Sequence, residues 1–201
     1  MSSQNIYVEP EEKSFVLVYD LPSENQFAYK NDKTYSKVRG TRVSCTYKLH
    51  SLGVECTQSV ILVPESNKDK IPKVIKEVFD SYKELNNFLA KNNFPEIDMP
   101  IIKAIEISVK QKEDFKTIAQ RTLKDKLDKA IDRLATLINE LDNILEEEKR
   151  KRIRYNLMKQ KRELDRIEKF AKELGIETNH KFELLTELYN EAINKLESEL
   201  V

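Results

Sequence analysis

Between residues 123 and 144 the apolar side chains recur in alternating steps of four and three: Leu123, Leu127, Ala130, Leu134, Leu137, Leu141 and Ile144. Such spacing puts all of them on one stripe of an α-helix, and a stripe this regular has to be covered by another element. Any fold whose second half is made of strands or open loops is thereby excluded. A second stripe follows at Ile153, Leu157, Leu164, Ile167, Ala171 and Leu174, after residues 146–152 (EEEKRKR), which contain no apolar residue. At about 100° per residue it is turned roughly 90° from the first. Residues 146–152 are good helix formers without Gly or Pro. The spacing therefore predicts one long or gently broken helix, about 90 Å if continuous from 114 to 174. A turn inside 146–152 is the alternative. Gly175 ends this helix, Thr178 or Asn179 starts another, and Phe182, Leu185, Tyr189, Ala192, Leu196 and Leu200 line its buried face. The last helix is expected to fold back along 153–174. The 123–144 stripe then needs the N-terminal part or a second copy of the chain, and a homodimer through this coiled-coil-like half is the expectation.

Before residue 112 the pattern is different. Residues 14–19 (SFVLVY) form a short β-branched and aromatic run stopped by Asp20, Leu21 and Pro22, a buried strand with a turn. Residues 23–32 read as a loop. From 33 to 52 the spacing is helical through Tyr35, Val38, Cys45, Leu49 and Leu52, with Gly53 placed as a terminating glycine. Residues 54–63 (VECTQSVILV) are a strand closed by Pro64. Ser66 or Asn67 can cap a helix with Pro72 in its first turn, carrying Ile71, Val74, Val78, Tyr82, Leu85 and Leu89 almost to Asn93. After an irregular stretch with Pro95 and Pro100, residues 101–109 (IIKAIEISV) return to strand composition. Strand, helix, strand, helix, strand predicts an α+β class with a ferredoxin-like βαβαβ module. A fourth strand comes from an internal hairpin or from residues 6–8. The expected organisation is a leader (1–13), the module (14–110) and a helical domain (111–201).

Charge and composition narrow the function classes. The 35 basic and 35 acidic side chains give a formal net charge of +0, so no global field draws the chain to nucleic acid or anionic membrane, and a local patch would have to do so. Cys45 and Cys56 are neither a CxxC pair nor a disulfide framework, which fits a reducing compartment. No segment is long and apolar enough to span a bilayer, and the polar start MSSQNIYVEPEEK lacks a signal-peptide core. The expectation is a soluble, cytoplasmic protein with no membrane partner.

Catalytic motifs are missing. His50 and His180 are far apart in sequence, no HExxH or GxSxG occurs, and glycines at 40, 53 and 175 cannot make a phosphate-cradling loop. Asp20, at a strand end, could hold Mg²⁺ together with a symmetry mate, or could simply cap the turn before Leu21-Pro22. Otherwise no cofactor is implied. Lys33, Lys37, Arg39, Arg42 and Lys48 make the first helix basic, with Tyr29, Tyr35 and Tyr47 among them. Phosphate binding needs such clustering, because each neutralised phosphate releases counterions. A solvated helix face is the competing account, with Arg42 a snorkelling side chain at the core edge. A second basic cluster, residues 149–154 with Lys159, Lys161 and Arg162, follows Glu146, Glu147 and Glu148, a mixture that favours i,i+4 pairing. The cysteines are weak redox candidates beside their reading as core residues.

Two resemblances involve these residues. Leu21-Pro22-Ser23-Glu24-Asn25, the basic helix, Leu52-Gly53-Val54 and the Ser59–Pro64 segment SVILVP together resemble the N-terminal domain of the chromate-resistance regulator ChrB. The likeness covers the module, and the tail only by character. The family's tryptophan–arginine pair is absent, since the chain has no Trp, so chromate chemistry does not carry over. What the resemblance implies is a DNA-associated regulatory role, with Arg39 and Arg42 as the matching basic positions. More remotely, Val18-Tyr19-Asp20, Arg39 with Arg42, and Gln58-Ser59-Val60 are similar to the small ferredoxin-fold subunit of CRISPR adaptation complexes, which implies a Mg-dependent nuclease using Asp20. A scaffold that docks another protein through its helical half stands beside both.

Overall fold

The computed structural model describes residues 14–22, 32–141, 146–178 and 180–198. The leader with its candidate strand at 6–8, the loop at 23–31 with Ser23, Glu24, Asn25 and Tyr29, and residues Ile144, Asn179 and Leu200 lie outside the described residues. Among the described residues the order is β1 (Ser14–Asp20), α1 (Asp32–His50), β2 (Val54–Thr57), β3 (Val60–Val63), a 3₁₀ turn (Glu65–Lys70), α2 (Ile71–Lys91), β4 (Ile101–Ile107), α3 (Val109–Leu141), α4 (Glu147–Glu173) and α5 (Lys181–Ser198). The α+β class holds: a four-stranded antiparallel sheet in the order β2-β3-β1-β4, with helices.

The run at 54–63, expected as one strand, is a hairpin. Gln58 and Ser59 interrupt it, so β2 folds back on β3 and the element order becomes βαββαβ. The ladder shifts register between Glu55 and Thr57. Cys56 sits in that irregularity, and its carbonyl accepts a hydrogen bond from Thr122 Oγ1 at 2.6 Å, so α3 satisfies an acceptor that the ladder leaves over.

Strand alternation sends side chains to two faces, and each face has its own apolar layer. Leu17, Tyr19, Ile61 and Val63 pack under α1 (Val38, Cys45, Leu49) and α2 (Val78, Tyr82, Leu85, Leu89). Val16, Val54, Cys56, Leu62 and Ile107 pack on the opposite side against α3, α4 and α5. The stripe on α3 is therefore covered inside the chain. Leu123, Leu127, Leu134 and Leu141 are buried, and Ala119 and Ile138 join them, widening the seam into the face of a helix in a globular core. The cover that the stripe requires is thus supplied within the chain, by the sheet and α5.

The expectation of one long or gently broken helix over 114–174 is corrected, and the break falls before 147, not within the alternative turn at 146–152. Helix α3 ends at Leu141 and α4 starts at Glu147, and α4 runs back beside α3. Arg150 near its start donates from Nη2 to the Leu141 carbonyl at 3.3 Å, while Gln120 early in α3 donates to the Glu177 carbonyl just past its end at 3.0 Å. The 90° offset between the two stripes is the sequence trace of this reversal, because each half covers a different surface. Helix α5 lies along both, tied by Lys181 to Asp128 of α3 and by Glu197 to Arg154 of α4. It does fold back along 153–174 as expected, with Tyr189 donating to Gln160 at 3.3 Å.

Helix ends follow local rules with two corrections. Gly175, with φ of 64°, terminates α4: its N–H reaches the Lys172 carbonyl at 3.1 Å and Ile176 reaches Ala171 at 2.8 Å. Asn93 does the same for α2. Gly53 is not such a terminator. It is needed because a Cβ there would stand 2.1 Å from the Leu62 carbonyl oxygen of β3. Ser66 and Asn67 do not cap α2, whose N-cap is Lys70. Ser66 instead binds Glu173 at the end of α4, through N–H at 3.1 Å and hydroxyl at 2.8 Å, and buried Asn67 donates to the Leu52 carbonyl at 2.9 Å.

The two glycines give opposite predictions. Gly53→Ala forces backbone apart and is expected to lower stability by roughly 3 kcal/mol. Gly40, exposed in the middle of α1, has nothing within 4 Å of an added Cβ, so Gly40→Ala is expected to raise stability by about 0.5–1 kcal/mol. Urea unfolding of both variants reads the two signs.

Candidate nucleic-acid interface

The basic residues expected on α1 do not gather on one surface. Lys33, Lys37 and Arg39 are exposed. Arg42 is half-buried, and its charge acts on buried Tyr19 and Tyr82, which places it at the core edge. Lys48 donates to Ser81 of α2 at 3.1 Å. The second cluster is also divided. Arg150 is turned inward onto α3, Lys151 pairs with Glu147 at 2.5 Å, and Arg154 pairs with Glu197.

What the fold does bring together is the outer side of α1 and one stripe of α4. Gly40, Val43, Ser44 and Tyr47 form one wall of a cleft of about 570 Å³, and Lys159, Arg162, Glu163 and Arg166 form the other. Lys159 Nζ stands over the Tyr47 ring, 5.8 Å from its centroid, a cation–π contact across the cleft. Arg166 lies 3.4 Å from Glu163, and its Nε is buried with no acceptor among the described residues. A smaller cleft of about 310 Å³ runs between α1 and α2 and includes Lys37. Gly40 and Ser44 border both clefts, and their small size keeps the crest between them low.

Three cations against one carboxylate at the rim, with an aromatic ring between, can bind an anion whose charge is spread along a chain and offer it a flat apolar surface. Sequence reasoning singled out Lys159, Arg162 and Tyr47 but did not join them, and it missed Arg166 and the unpaired wall at Val43. A signal was present: residues 155, 159, 162 and 166 fall within about 60° of one another on a helix.

Beneath the cleft a polar network joins α1, β1, β2, α3 and α4. The Tyr19 hydroxyl donates to the Gln58 carbonyl at 2.6 Å, so the 2.7 Å contact with His50 is donated by His50 Nε2. His50 Nδ1 then faces Glu55, 3.4 Å away, which Lys126 of α3 also pairs with. Burial holds the imidazole below its usual value against the pull of Glu55, with Lys126 and Arg166 adding to the lowering and Glu163 opposing it. Burial also pushes the Tyr19 phenol up to about 12, so it acts as a donor and not as a base.

Asp20 is exposed at the end of β1, opposite Ile101 of β4. Among the described residues no group of three His, Cys, Asp or Glu side chains is arranged to hold a metal ion. Cys45 and Cys56 are both buried, and burial raises both thiols, Cys56 to about 11, which suits core packing. No helix among the described residues is long and apolar enough to cross a membrane. Comparison with family models, characterised proteins and solved structures found no match.

The network sets a pH dependence. The folded chain keeps His50 neutral to lower pH than the unfolded chain does, so below about pH 6.5 the unfolded state binds more protons and stability falls. His50→Gln is expected to flatten that loss. Urea midpoints measured above and below this pH for both proteins check it, and equal slopes contradict the assignment.

Proposed function

We propose that this chain is a nucleic-acid-associated regulatory protein without catalytic chemistry, built on a ferredoxin-like sheet and binding its ligand along the cleft between α1 and α4. The fold part of the proposal is supported by the strand order β2-β3-β1-β4, with α1 and α2 together on one face. The functional part is carried by one observation. Tyr47 is more than half exposed, at 53%, in a cleft whose other wall supplies Lys159, Arg162 and Arg166. With a net charge of zero, attraction for phosphates has to come from such a local concentration of cations. The resemblance to the ChrB N-terminal domain supports the regulatory role; its matching basic positions are Arg39 and Arg42, whereas the cleft geometry favours the face that α1 shares with α4.

The test is fluorescence anisotropy with labelled DNA and RNA over a salt series. The double change Lys159→Ala with Arg162→Ala is expected to weaken binding several-fold and to reduce the salt slope by about one unit per lost phosphate contact. Lys151→Ala, which removes an exposed i,i+4 pair with Glu147, is expected to leave binding unchanged. Binding indifferent to the double change rules out this surface.

A further inference from the structure

We infer that the α1–α4 cleft takes single-stranded nucleic acid, with an unpaired base stacked on Tyr47; the inference rests on the nucleic-acid reading above and narrows its ligand. The ring is exposed and lies in the cleft between two helices. A duplex can bring phosphates to the rim of such a cleft, but its base faces are covered by their stacked neighbours, so Tyr47 would have nothing to stack on. A single strand can turn a base into the cleft while its backbone stays at the rim, the arrangement of sequence-tolerant single-strand sites.

The cations support the same geometry. Lys159, Arg162 and Arg166 lie on one narrow stripe of α4, about 10 Å long, and a single line of charge suits one backbone and not two. Tyr155 continues this stripe one turn before Lys159, and it is 70% exposed. It stands about 6 Å along the helix axis from Lys159, within reach of the next base. Lys159 now covers the Tyr47 ring. Its flexible stem lets the ammonium move off the ring and pair with the incoming phosphate, so the site is held ready without being blocked. Gly40 and Ser44 leave the wall beside the ring open.

Three probes of about a dozen nucleotides separate the cases: oligo-dT, an abasic strand of equal length and charge, and a duplex. At low salt, oligo-dT is expected to bind about tenfold or more tightly than either of the others. Tyr47→Ala is expected to remove most of that advantage and Tyr47→Phe to retain it; circular dichroism checks that both variants fold, as their exposed position predicts. If the abasic strand or the duplex binds as well as oligo-dT, or if Tyr47→Ala binds oligo-dT as wild type does, stacking in this cleft is overturned while nucleic-acid binding stands. If no probe binds at low salt, the nucleic-acid reading itself falls, and this inference with it.

Discussion

The structure depends on a sheet too small to leave either face bare. Four strands of four to seven residues present Leu17, Tyr19, Ile61 and Val63 to one side and Val16, Val54, Cys56 and Leu62 to the other. Both sets are essentially removed from solvent. Helices α1 and α2 cover the first face and α3 covers the second. The helical half is consequently part of the sheet's own core, and the interaction of α3 with β2 and β3 decides where α4 and α5 can lie. At about 25 cal/mol per Å² of apolar surface, losing that contact would expose several fully buried side chains at once.

That placement also explains the polar side of the molecule. With α3 seated on β2, its partner α4 passes the outer edge of the sheet beside the C-terminal end of α1. There Glu55, Lys126, Glu163 and Arg166 meet around His50. One edge of the sheet is thus screened by a charged helix. At the other edge β4 carries Lys103 and Glu106, both exposed, charges of the kind that discourage strand addition. The cleft above the His50 network follows from the same geometry. Gly40 and Ser44 leave room on the α1 wall, and the long cationic side chains of α4 line the opposite wall.

Much of the local structure was legible in the chain. The period-2 and period-3.6 patterns locate the elements, and Gly175 and Asn93 mark helix ends where a left-handed residue is required. Misreadings came where a local signal had more than one physical cause. Gly53 looked like a helix terminator, yet its lack of a side chain serves a close approach of β3. The run at 54–63 hides a turn, because Gln58 and Ser59 include no Gly or Pro to announce one. Leucines in heptad spacing looked like a coiled coil, since periodicity states that a face is buried and is silent about the partner. For the cleft, Tyr47, Lys159 and Arg162 were visible as separate members of basic clusters more than 100 residues apart in sequence, and nothing local could join them.

By itself, then, the sequence determined where the strand-forming and helix-forming stretches lie and which side of each must be hidden, because those depend on spacing along the backbone. Tertiary structure alone decided that α3 and α4 reverse instead of continuing, that the sheet and α5 cover the leucine seam, and which of the charged residues face one another. Charges are placed by whatever the apolar stripes pack against. Side chains such as Arg150, Lys48 and Lys159 are alike in the sequence, and the fold sends the first to a helix end, the second to a serine and the third across an aromatic ring.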